Sequence, residues 1–140
     1  MSIYHECKSS QNLKNLIQNN NVVVVKLGAT WCGPCKAIKP EFDSLAKRTV
    51  ENLKQLGENR PSIVFLSIDI DDICLDNGMK WGDYLNCSGV PMFLIFSHGK
   101  TKNTFMGGDM NPIMDCIDEC LHQFLNTTPI SSVWVKQKDK

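Results

Sequence analysis

Four consecutive valines, Val22 to Val25, lie just ahead of Trp31-Cys32-Gly33-Pro34-Cys35-Lys36, and this stretch constrains the fold more than any other. An unbroken β-branched run suits a strand covered on both faces, as in a parallel sheet with helices on either side. Beyond the cysteines, Ile38, Phe42, Leu45, Ala46, Leu53 and Leu56 form an apolar stripe at helical spacing. A buried strand that feeds a C-x-x-C pair at the first turn of a helix is the setting of a redox dithiol. The first sulfur there faces unsatisfied N–H groups and the positive end of the helix dipole, which favour thiolate over thiol. Pro34 has no N–H and is tolerated in a turn where that donor would be unpaired anyway. Cys35 stands one turn behind Cys32, close enough for a disulfide to open and close with little backbone movement.

A zinc site competes for the same spacing, but it needs two further Cys or His ligands, usually paired at short separation. The other close pair is Cys116 and Cys120, one turn apart on a predicted last helix, where they also read as small core residues. The strand-to-helix context favours the redox reading, with no metal.

Ala29-Thr30-Trp31-Cys32-Gly33-Pro34-Cys35-Lys36 resembles the active-site segment of thioredoxins. Ile63-Val64-Phe65-Leu66 with Asp69-Ile70-Asp71-Asp72, then Gly89-Val90-Pro91, then Phe105-Met106-Gly107-Gly108, follow in that family's order. The resemblance spans roughly residues 3 to 125.

The pattern along the chain agrees with it. Ile3 to Cys7 is expected to form a short first strand. A helix capped by Ser9 or Ser10 carries Leu13, Leu16 and Ile17, and Val22 to Leu27 is the central strand. Pro40 should kink the long second helix, which Gly57 stops. Strands follow at Ile63 to Ile70, Met92 to Phe96 and Lys102 to Met106, the last two joined by a Ser97–Lys100 turn. A short helix carries Met79, Trp81, Tyr84 and Leu85. The last helix opens at Asn111-Pro112 and buries Ile113, Ile117, Cys120, Leu121 and Phe124. The expected class is α/β: a thioredoxin fold whose central mixed sheet, of about four to five strands, has helices on both faces. The domain is placed at 1–125, with 126–140 as a C-terminal extension that reads either as a frayed end or as a docking segment around Trp134. Asp69, Asp71, Asp72 and Asp76 invite a calcium reading, but the glycine and glutamate of an EF-hand loop are missing at their positions, so a solvated acidic loop is expected.

Exchange chemistry requires an accessible thiolate and a second thiol to release the product. Cys32, nearer the helix end, is the expected nucleophile and Cys35 the resolving thiol, with no cofactor. The resemblance adds several expectations. Val90-Pro91 should be a cis peptide lying against the dithiol and pairing with substrate backbone. Trp31 should shield the dithiol and offer apolar contact, with Gly33 and Pro34 shaping the turn and Gly107 and Gly108 leaving a flat docking face. Disulfide-containing proteins would be the substrates, and a thioredoxin reductase drawing on NADPH the electron donor. One position departs from the family. Six residues before Cys32, where thioredoxins usually bury an aspartate, stands Lys26, and its family partner on the neighbouring strand aligns with Ser67. A charged Lys26 would favour thiolates, a neutral one could act as a base, and a third outcome is that its stem packs while the ammonium reaches water.

Fifteen basic and fifteen acidic residues leave no net charge, so no nucleic-acid footprint is expected. No apolar run approaches the ~20 residues needed to cross a membrane. The amino-terminal residues lack the pattern of a signal peptide. Seven cysteines, an odd number, suit a reducing, cytoplasmic setting better than a secreted disulfide scaffold. A monomer is expected. Three readings follow: a protein-disulfide reductase; a disulfide oxidase or isomerase retuned by Lys26; or a thioredoxin-fold interaction module.

Overall fold

A computed structural model describes residues 5–125. The elements run α1 (Ser10–Asn19), β1 (Val22–Gly28), α2 (Gly33–Lys54), a 3₁₀ turn (Gly57–Asn59), β2 (Ile63–Asp69), α3 (Trp81–Tyr84), β3 (Met92–Ser97), β4 (Lys100–Met106) and α4 (Asn111–Leu125). The four strands are ordered β2-β1-β3-β4. β1 pairs parallel with β2 and antiparallel with β3, and β3 pairs antiparallel with β4, so the sheet is mixed as expected.

Every residue of β1 is buried, which is what its valine run requires. Alternation sends Val22 and Val24 to one face, where they join Phe42, Leu45 and Leu53 of α2 and Ile113, Ile117 and Leu121 of α4. Val23, Val25 and Leu27 face the other way, onto Leu13 of α1 and Trp81 of α3. Helices therefore cover both faces of the sheet. α2 runs without a break through Pro40 and ends just ahead of Gly57, which has φ +73°.

Two expectations are corrected. Of the stretch expected as a first strand, the described residues His5 to Cys7 are not in a strand, although the His5 N–H donates to the Phe65 carbonyl of β2 at 3.3 Å. Phe124, in the last turn of α4, lies outside the buried cluster and is exposed, while Cys116 takes a place inside it. The reading of 126–140, Trp134 included, lies outside the described residues, as do Ile3 and Tyr4.

Candidate active site

β1 delivers the chain to the N-terminus of α2, and Cys32 is that helix's N-cap, with Gly33 and Pro34 at the first two helical positions. Cys32 and Cys35 are joined as a disulfide, with Cα atoms 5.3 Å apart. The Cys35 N–H donates to Cys32 Sγ at 3.1 Å, so the first sulfur takes the role a serine oxygen fills at an ordinary N-cap. That amide and the helix dipole, about half a positive charge, both favour negative charge on Cys32. The two cysteines are 4% and 6% exposed and share a small apolar cluster with Ala29, against which Ile70 and Val90 pack.

Val90-Pro91 is a cis peptide. The Gly107 N–H donates to the Pro91 carbonyl at 3.0 Å, joining the start of β3 to the end of β4. Gly107 has φ +90°, a conformation glycine adopts without strain. Trp31 stands 66% exposed, anchored only at its polar edge, where Nε1–H donates to Asp71 Oδ2 at 2.8 Å. The Asp71 N–H in turn donates to Asp69 Oδ1 at 2.8 Å, which holds the loop after β2 in place.

Behind the disulfide lies an open pocket of about 250 Å³, lined by Lys26, Gly28, Cys35, Lys39, Ser67 and Asp69 among others. Lys26 pairs with Ser67 across β1 and β2. The lysine is only 5% exposed, and its Nζ lies 5.3 Å from the centre of the Phe42 ring, within cation–π range. Burial holds its pKa below the usual lysine value, opposed by the nearby Asp43 carboxylate. Its stem is packed as the third outcome foresaw, but the ammonium stays over Phe42 at the pocket wall.

The other five cysteines are free thiols. Cys116 and Cys120 are buried in the α2–α4 cluster, apart from the small cluster that holds the disulfide. Cys87 packs against the opposite core and its thiol donates to the Gly89 carbonyl at 3.0 Å. Among the described residues, no group of three or more His, Cys, Asp or Glu is placed to share a metal ion. The acidic loop is engaged otherwise: Asp71 holds Trp31, and Asp76 caps α1.

The family model described as Thioredoxin matches residues 5–119. The chain belongs to the thioredoxin family. A thioredoxin of Ovis aries is 35% identical over 100 residues, covering 71% of this chain and 80% of that protein. The solved thioredoxin of Schistosoma mansoni superposes with a TM-score of 0.61 at 26% identity, covering 85% of this chain and 98% of the other. The oxidised mitochondrial thioredoxin 3 of Saccharomyces cerevisiae, at 20% identity, shares the fold with a TM-score of 0.64 over 83% of this chain and 94% of its own. With its cysteine pair at bonding distance, this thioredoxin-family chain is a thiol–disulfide oxidoreductase, a protein-disulfide reductase. Thioredoxins act on disulfide substrates and are reduced by a reductase. Two members of the thioredoxin site escaped sequence reading. Asp71 was placed in a solvated loop; its spacing of two from Asp69, at a strand end beside the dithiol, was the available signal. Ile70, which the sequence places at a strand end and in the family's segment order without a role, packs on the disulfide cluster.

Proposed function

We propose that this chain reduces protein disulfides with Cys32 as attacking nucleophile and Cys35 as resolving thiol. The observation that carries the assignment is the Cys35 N–H donated to Cys32 Sγ, because it singles out one sulfur for negative charge. In the reduced protein, the Cys32 thiolate attacks one sulfur of a substrate disulfide. That S–S bond breaks, the departing sulfur keeps the electron pair and takes a proton, and a mixed disulfide forms at Cys32. Cys35 then loses its proton and attacks Cys32 Sγ. The Cys32–Cys35 bond closes, the substrate leaves as its second thiol, and two electrons have passed from the dithiol to the substrate.

Substrate contact is assigned to Trp31, Val90, Pro91 and Gly107. The exposed indole and the loop joined by the Gly107–Pro91 bond flank the disulfide, and both offer surface without charge. Gly33 and Pro34 support the site by holding the first turn of α2. The working unit is residues 1–125, acting as a monomer in the cytoplasm. It receives electrons from an NADPH-dependent thioredoxin reductase and serves electron transport and cell redox homeostasis; this follows from the resemblance and the odd cysteine count.

The test is a coupled assay with NADPH, thioredoxin reductase and insulin as the disulfide probe. NADPH consumption should depend on this chain and vanish in Cys32→Ser. Turnover with dithiothreitol but not with the reductase would overturn the donor. Failure with both would overturn the reductase reading.

A further inference from the structure

Lys26 is the one charged side chain buried among the described residues, and the chemistry above gives it no part. Its place follows from strand alternation. Val22, Val24 and Lys26 share the face of β1 that packs under α2. Gly28 continues that face at the site end, and a Cβ built there would lie 3.5 Å from both Cβ and Sγ of Cys35. Lys26 stands two residues back, roughly 7 Å along the strand. Lys26, Gly28 and Cys35 accordingly line one pocket.

The charges around it are these. Lys36 and Lys39 face the pocket from α2 and Asp69 from β2, while the β3 residue beside Lys26 is the uncharged Phe93. Asp43 raises the proton affinity of Lys26 and Lys39 lowers it; these two are bound to each other at 2.7 Å and act on Lys26 in opposite directions. Lys26 itself makes no ion pair of bonding length among the described residues. The Cys35 sulfur, once it becomes a thiolate, is a negative partner within the pocket that Lys26 also lines.

We propose that Lys26 is a positioning charge for the resolving step: its ammonium stabilises the Cys35 thiolate, and so speeds closure of the Cys32–Cys35 bond and biases the couple toward the dithiol. This rests on the reading that Cys35 resolves. In exchange with glutathione, the protein disulfide and two glutathione thiols give the protein dithiol and glutathione disulfide. The two electrons come from glutathione, and the Cys35 proton goes to water when that sulfur is left as thiolate. A cation beside the thiolate favours the product side. At an effective dielectric of about 20, unit charges up to about 10 Å apart interact strongly enough to change an equilibrium constant more than tenfold.

The experiment is equilibration of the full chain with glutathione buffers of defined ratio, reading the Cys32–Cys35 state by alkylation and mass spectrometry. Lys26→Met and Lys26→Gln should each shift the equilibrium at least tenfold toward the disulfide, about 30 mV for a two-electron couple. Lys26→Arg should stay within about threefold of the unaltered chain, since it keeps the charge. The gap between unaltered and Met chains should open as pH rises through the range where thiols ionise. It should narrow again above the pKa of Lys26, where the ammonium is lost. Unchanged equilibria in Lys26→Met or Lys26→Gln would overturn the proposal, as would an Arg chain shifted as far as Met, which would assign the effect to packing. If Lys26→Met does not fold, Lys26→Gln carries the same comparison. An unaltered chain that fails to exchange with glutathione would overturn the underlying reading, and this proposal with it; normal exchange insensitive to Lys26 would sink this proposal alone.

Discussion

Cys32 caps α2 through a sulfur, although a serine would satisfy the same orphan N–H and cap at least as well. The thiol's presence there is explained by what the capped sulfur can do as a thiolate. The same economy shows in Trp31, whose indole is held out in solvent by a single bond to Asp71. An exposed aromatic ring tethered at one edge keeps its orientation without burying its contact surface. Asp71→Ala should therefore leave folding intact and raise KM for insulin several-fold, with little change in kcat. Reduction of a small chromogenic disulfide, too small to reach the indole, should be unaffected. Equal loss on both probes would mean that Asp71 supports the dithiol and not the docking surface. The identity of Cys32 and Cys35 was plain from their spacing, while Asp71 was hidden because its partner lies 40 residues away in the chain.

The helices differ in how far their own sequence accounts for their ends. α2 carries its cap within its own active-site turn, and its stripe from Ile38 to Leu53 is buried as the 3.6-residue period requires. α1 was legible at Ser9, whose Oγ accepts the Asn12 N–H at 3.0 Å, but its first turn holds no acidic residue. Asp76 supplies one from a distant loop, accepting from the Ser10 and Gln11 N–H groups at 2.9 and 3.1 Å and from the Ser10 hydroxyl at 2.8 Å. Led by the Ser10 N–H, these bonds hold the Asp76 carboxyl well below the usual carboxylate range. A depressed folded pKa gives a contribution that is present above the unfolded value of about 4 and is lost as pH falls toward the folded one. Asp76→Asn should thus lower the urea midpoint at pH 7, with a gap to the unaltered chain that narrows as the pH falls below 4. A gap independent of pH would show that the charge contributes nothing. Patterning within one element could not reveal this cap, since the contact exists only after the chain has closed on itself.

At the scale of the molecule, the sheet order β2-β1-β3-β4 puts the most buried strand at the centre and aims its end at the helix that carries the dithiol. The mixed sheet and its two covered faces could be read from the valine run and the helical stripes. That the described residues His5 to Cys7 take no strand could not be read from so short a stretch, because apolar residues near a terminus read alike whether or not they find a sheet edge. Lys26 shows the opposite case: alternation alone assigns it to the buried face, yet the pocket it shares with Cys35 exists only once α2 has packed on β1. The whole arrangement converges on one sulfur that attacks and one that resolves. The most direct measurement is trapping: Cys35→Ser and Cys32→Ser chains, each reduced, are mixed with insulin and the mixed disulfides are mapped by mass spectrometry. A stable adduct at Cys32 in the Cys35→Ser chain, with no adduct at Cys35 in the Cys32→Ser chain, is the expected result. An adduct at Cys35 formed as readily as at Cys32, or insulin reduction that persists without Cys32, would contradict it.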